Sequence, residues 1–215
     1  MLLEPASRLI GAACVAVVVL VARDGAFAQS QQPLHVISPP DAWRAPAIMP
    51  WSVSMFAGPL TTRLLSESFT GEFEFESGIA GIAVSRRLGM LTSDLVVEGE
   101  LQLIQHFAGE DHFEGNLVVA ARWTRFPWNR VLPTTFALGL GPSFATSLPE
   151  QERRRHGHHS SAVLNEFFGE VTIGAPGLPR WALVGRMEHR SGIFGLINGV
   201  HDASTAFGYG LKYRF

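Results

Sequence analysis

A two-residue alternation recurs along most of this chain, one phase apolar and the other charged, and it restricts the fold more than any other feature. Between Arg180 and Ser191, Trp181, Leu183, Gly185, Met187, His189 and Ser191 share one phase. Ala182, Val184, Arg186, Glu188 and Arg190 share the other. A period of two marks an extended strand, because successive side chains leave a pleated backbone on opposite sides. The same pattern sets Leu95, Val97, Gly99, Leu101 and Leu103 against Glu98, Glu100 and Gln102. It sets Phe113, Leu117, Val119, Ala121 and Trp123 against Glu114, Asn116 and Arg122. Near the end, Phe207, Tyr209, Leu211, Tyr213 and Phe215 oppose Gly208, Gly210, Lys212 and Arg214.

Eight such segments are expected, at 51–58, 77–87, 91–106, 112–127, 132–147, 161–175, 180–191 and 203–215. Two architectures fit them. A soluble, lipocalin-like barrel turns its apolar phase inward, whereas a membrane barrel turns it outward to lipid. Periodicity alone does not separate the two. The membrane form is favoured by glycines on the charged face of the last segment and aromatics on its apolar face. The expectation is therefore an all-β fold, an eight-stranded antiparallel transmembrane β-barrel. Eight strands leave room inside for side chains rather than a channel. Glu98, Glu100, Glu114, Glu166, Glu170 and Glu188 then need Arg122, Arg186, Arg190, Lys212 and Arg214 as internal partners, since a buried charge is costly alone.

The N-terminal segment places this barrel. Arg8 precedes an apolar run from Leu9 to Ala22, and Ala26-Phe27-Ala28 precedes Gln29. A basic start, an apolar stretch and an Ala-x-Ala site read as a secretory signal peptide over 1–28. The run is about 14 residues, against the roughly 20 that a spanning helix requires. Cys14, the one cysteine, lies inside it, so an exported mature chain holds no thiol. Residues 29–50, with Pro33, Pro39, Pro40, Pro46 and Pro50, read as a Pro-rich periplasmic leader, and 51–215 as the barrel. An exported chain of alternating strands points to the bacterial outer membrane. The formal net charge of −2 gives no electrostatic reason to expect nucleic acid as a partner.

Connection lengths orient the barrel. With the N-terminus in the periplasm, the short links at Leu88-Gly89-Met90, Trp128 to Val131 and Pro176 to Pro179 are periplasmic turns. The longer 59–76, 148–160 and 192–202 are then external. That puts His189 and Ser191 at the outer membrane–water boundary, on the apolar face. Being two apart on one strand, they point the same way. An imidazole beside a hydroxyl can take its proton and leave a nucleophile for an ester carbonyl. Asp202 is the nearest acid in this topology to orient the imidazole, although strand parity alone would turn it inward. Asn198 and the backbone N–H groups near Gly192 are candidates to stabilise an oxyanion. Within Glu150 to His159, Arg153, Arg154 and Arg155 could grip phosphates. The histidines of that loop are candidate metal ligands, but no cysteine or ordered carboxylate spacing supports a metal centre, so no metal and no cofactor is expected.

The segment Glu188-His189-Arg190-Ser191-Gly192, followed by a Gly- and Asn-containing loop and a closing strand, resembles the lipid A 3-O-deacylase family of outer-membrane barrels. So do Trp51-Ser52-Val53-Ser54-Met55-Phe56-Ala57-Gly58 and Ala83-Val84-Ser85-Arg86-Arg87-Leu88-Gly89. The likeness covers most of the mature chain, and its specific part lies in the last two strands. It implies a His-x-Ser pair at His189 and Ser191 on the lipid-facing surface, working with a Glu near the start of the final strand. That acid falls near Ala203 counting forward from Ser191, or near Thr205 counting back from Phe215, and neither is a carboxylate. The Asn that follows the family's Ser is Gly192 here. The implied activity is cofactor-free removal of an ester-linked acyl chain from lipid A of lipopolysaccharide. The alternative is a structural or adhesive barrel without catalysis. Expected partners are lipopolysaccharide, the outer membrane and the barrel assembly machinery, whose recognition signal the final Phe215 resembles. Monomer and homodimer both stay open.

Overall fold

The computed structural model describes residues 49–61, 65, 67, 75, 77–109, 111–156 and 160–215. The expected signal peptide and all but the last two residues of the leader lie outside these. Eight antiparallel strands form: β1 (Trp51–Thr61), β2 (Ser77–Met90), β3 (Leu95–Phe107), β4 (Phe113–Trp123), β5 (Thr134–Ala145), β6 (Val163–Ala175), β7 (Leu178–Ser191) and β8 (Ser204–Arg214). Each pairs with its neighbour in sequence, and β8 returns to β1 through pairs such as Met55↔Leu211, closing the barrel. Full closure leaves no unpaired strand edge, which a lipid environment requires.

Exposure decides which phase faces out. Leu117, Leu140 and Leu183 are 59%, 62% and 62% exposed, while Glu100, Glu166, Glu170 and Lys212 are 2%, 1%, 0% and 1% exposed. The apolar phase is the outer surface and the charged phase fills the lumen. A water-soluble barrel would reverse this, since charges are solvated in water and apolar side chains are not. The chain is therefore a membrane-spanning barrel of the outer-membrane type.

The lumen is a linked set of ion pairs. Glu170 receives Arg122 at 2.8 Å and Arg186 at 3.0 Å, and also Lys212. Arg186 reaches Glu100 and Glu188 as well, and Ser85 Oγ donates to Glu100 at 2.6 Å. Arg122 closes the set on Glu98 at 2.9 Å. The Arg186 guanidinium also lies 3.8 Å over the Phe168 ring. Large side chains interlock with glycines opposite: a Cβ on Gly139 would stand 2.4 Å from Phe168. The result is a filled interior, as eight strands allow.

The closing seam depends on close backbone approach. A Cβ on Gly210 would lie 1.8 Å from the Met55 carbonyl oxygen, where only backbone movement could relieve it. Gly210→Ala is expected to destabilise the barrel by up to about 3 kcal/mol and to shrink the folded, heat-modifiable band on cold SDS gels. Gly185→Ala, with nothing within 4 Å of the added atom, is the matched control and should leave that band unchanged. Equal bands for both variants would remove this account of the seam.

Several boundaries depart from the sequence reading. Strand β1 runs on to Thr61, and β4 ends at Trp123, so its link to β5 spans 124–133 rather than Trp128 to Val131 alone. Strand β2 runs on to Met90 through a bulge between Arg87 and Gly89, so the turn follows at 91–94. Strand β7 starts at Leu178, leaving a tight turn at 176–177. The link after β5, expected only as an external connection, contains a short helix α1 (Glu150–His156). Its Glu152 dips into the barrel mouth at 2% exposure and is gripped by Arg190 at 2.9 Å and 3.0 Å. Burial pushes the Glu152 carboxyl above its usual range even with that arginine upon it. A buried cation, Arg190, supplies the reason for the fold-back.

Candidate lipid-facing site at the external end of β7 and β8

The outward phase of β7 carries His189 and Ser191 to the external end of the strand. Register sets His189 beside Phe167 of β6 and Thr205 of β8, and Ser191 beside Asn165 of β6. Alternation then leaves Glu188 and Arg190 in the lumen, where Arg190 holds Glu152 and Glu188 meets Arg186. The two polar residues thus stand on the lipid side of a strand whose other phase is pinned by charge.

His189 faces outward but is only 7% exposed, and Ser191 is half-buried. The imidazole Nδ1 lies 3.0 Å from Thr205 Oγ1. With Nδ1 protonated, it donates to that oxygen and leaves Nε2 as a base. Asp202 Oδ1 stands 3.9 Å from the same nitrogen, beyond hydrogen-bond length. Asp202 Oδ2 accepts the backbone N–H of Leu65 at 3.0 Å, while Oδ1 is buried with no hydrogen-bond partner among the described residues. A buried acceptor without a donor is costly, and here the His189 imidazole faces it. The inward turn that strand parity suggested for Asp202 does not occur. β8 begins only at Ser204, and the preceding loop brings the carboxylate round to His189.

Other expected residues are placed differently. Asn198 adopts a left-handed backbone (φ 49°), and its amide donates to Ser161 Oγ at 2.7 Å, which engages one of its two N–H donors. At Gly192 the nearest atoms to an added Cβ are the Val200 and Ile197 carbonyl oxygens, at 2.1 Å and 2.8 Å. The loop backbone therefore closes tightly on the Cα of this glycine. Arg153 and Arg154 are exposed on α1, and both pair with Glu150 of the same helix, Arg154 at 3.2 Å. The side chain of Arg155 lies outside the described residues. The expected phosphate clamp is thus two solvent-facing arginines shared with one glutamate.

Two features escaped the sequence reading. Asn165 places an amide on the outward face directly across from Ser191, and that amide donates to the Glu166 carbonyl at 3.1 Å. Only cross-strand register reveals it. The β7–β8 loop also presents Ile193, Phe194 and Leu196 at 39%, 89% and 82% exposure. Ile193 and Phe194 both have positive φ, 52° and 54°, followed by Gly195 at 91°. Bulky residues rarely adopt that conformation, so the loop holds its apolar side chains outward at a local cost. The Ile-Phe-Gly-Leu run was the visible signal.

No protein-family model matches the chain, and no curated protein sequence matches it. Among solved structures, similarity is found to the outer membrane enzyme PagL at 12% identity and TM-score 0.49, over 76% of this chain and 99% of that one. Neisserial surface protein A is similar at 13% identity and TM-score 0.47, over 77% and 97%. The attachment invasion locus protein Ail of Yersinia pestis gives 13% identity and TM-score 0.40, over 77% and 96%.

Proposed function

We propose that this barrel is an outer-membrane serine esterase that removes an ester-linked acyl chain from lipid A of lipopolysaccharide. The observation that carries the reading is a histidine and a serine two residues apart on the outward phase of β7 in a membrane barrel, the imidazole held by Thr205 and faced by a buried Asp202 oxygen without a donor. Ser191 Oγ attacks the ester carbonyl while His189 Nε2 takes its proton. Collapse of the tetrahedral intermediate expels the sugar alkoxide, which leaves with that proton. Water, activated by the same imidazole, then hydrolyses the acyl-enzyme, and the fatty acid departs. The negative Asp202 carboxylate stabilises the imidazolium that forms in each half. No cofactor enters. Substrate arrives laterally from the outer leaflet, since the lumen is packed with charge.

Mass spectrometry of lipid A tests this. Cells making the barrel should lose one hydroxyacyl chain relative to cells with an equal amount of the Ser191→Ala barrel. Identical lipid A from both would favour the second reading, a structural or adhesive barrel. The specific observation behind that second reading is a threonine rather than a carboxylate opposite His189.

The exposed Phe194 and Leu196 would then lie against acyl chains of the incoming lipid. Phe194→Ser should raise KM about tenfold with kcat nearly unchanged, the mark of binding lost equally in ground and transition states. A fall in kcat at constant KM would assign the loop to the reacting centre instead.

A further inference from the structure

The lumen holds a second polar cluster that the esterase reading does not use. His106 on β3 and Glu114 on β4 both point inward, and His112 sits in the short link between those strands. They are 5%, 3% and 4% exposed. One ligand atom from each lies within 4.8 Å of the others.

Local geometry holds the three together. The His106 backbone N–H donates to the His112 carbonyl at 2.9 Å, closing the link and stacking the two imidazoles with centroids 4.1 Å apart. The Phe113 N–H donates to Thr146 Oγ1 at 3.0 Å, fixing the backbone between His112 and Glu114. His106 Nε2 stands 3.2 Å from Glu114 Oε2, and Asn116 Nδ2 donates to Glu114 Oε1 at 2.8 Å. Asn116 Nδ2 also donates to Gln102 Oε1 at 2.8 Å. A carboxylate already oriented by an amide and aimed at an imidazole is the kind of outer support that metal sites use. Beside His106 and Glu114 lies a cavity of about 10 Å³, also lined by Glu166, Glu188, Arg190 and Ser204. That is room for one water.

We propose that His106, His112 and Glu114 form a binding site for one divalent transition-metal ion, with zinc the best match. Two imidazole nitrogens and one carboxylate suit borderline cations such as zinc better than calcium or magnesium, which take oxygen ligands. Water in the adjoining cavity supplies the fourth tetrahedral position. Bonds of about 2.0–2.1 Å set ligand atoms roughly 3.3 Å apart, so zinc draws the three closer than their present 4.8 Å span. Nearly parallel rings cannot both aim in plane at one ion, and the 18° stack must therefore open as His112 rotates. Arg190 Nε lies 3.7 Å from Glu114 Oε2, and its charge is balanced by Glu152 on its other side. The bound ion would fasten the external β3–β4 link to the lumen wall. This inference does not depend on the esterase reading, because the three residues face the lumen and not lipid.

The test uses the full barrel, purified without a histidine tag, freed of metal by chelator and titrated with zinc alone. His156, His158 and His159 are replaced by Asn throughout, to remove the other histidine-rich segment. The expected result is one zinc per chain, with affinity at least about 100-fold weaker in His112→Ala and in Glu114→Gln. Folding of each variant is read from its heat-modifiable gel mobility. X-ray absorption of the zinc-loaded parent needs no variant and should show two imidazoles and oxygen ligands at about 2.0–2.1 Å. Less than one zinc per chain, undiminished affinity in a folded His112→Ala barrel, or absorption without two imidazoles would each overturn the proposal.

Discussion

Ser191→Ala is expected to lower the deacylation rate of the detergent-solubilised barrel by about 10⁶-fold, with His189→Ala in the same range. The two act as one unit, so the double variant should be little slower than either alone. The geometry goes further and separates the two groups near the imidazole. Thr205 touches Nδ1 at 3.0 Å but carries no charge to stabilise an imidazolium. Asp202 carries the charge and stands 3.9 Å away. Asp202→Asn should therefore cost about 10³–10⁴-fold in kcat. Thr205→Val, which removes an orienting bond and leaves the charge, should cost about 10–100-fold. Rates measured at fixed barrel concentration on micellar lipid A decide the matter. A Ser191→Ala rate within tenfold of the parent's would sink the esterase mechanism. A Thr205→Val loss larger than that of Asp202→Asn would instead make the hydroxyl the essential partner.

The second large effect concerns stability. Glu170 is fully buried and is shared by Arg122, Arg186 and Lys212. Glu170→Gln keeps the shape but leaves three cations without their common anion. Removing one member of such a buried set is expected to cost about 3–5 kcal/mol. The measurement is the midpoint of guanidinium unfolding of the refolded barrel in lipid vesicles. Glu98→Gln provides the comparison, because Glu98 is more open and meets only one arginine, Arg122, among the ion pairs described. It should cost clearly less. Equal shifts for the two variants would mean that the lumen is hydrated enough to screen its charges, and that packing around Phe168 and Phe56 carries the stability instead.

The fold was largely legible because its rule is local. Alternation on a pleated strand needs only adjacent residues, so Leu95 to Leu103 or Phe207 to Phe215 could be assigned to strands and split into two faces directly. The same parity put His189 and Ser191 on the apolar face, where the structure has them. Which face turns outward is not local, since an apolar phase suits a soluble core and a lipid surface equally. Closure of β8 on β1, with Leu183 exposed and Lys212 buried, decided it.

The rest depended on contacts between residues far apart in the chain. Glu152 belongs to a link that the sequence marks only as external, until Arg190 of β7 requires a counter-charge at the barrel mouth. Asp202 reads as inward-facing by parity, yet parity holds only where pleating does, and the loop ahead of β8 lies outside that regime. Asn165 comes to Ser191, and His112 to Glu114 and His106, through cross-strand register and a closing turn. From its own sequence the chain determines that it forms a two-faced barrel and which side chains share each face. Only the tertiary structure, through closure and register, decides which face meets lipid and which polar groups become neighbours, because both are set by interactions across strands.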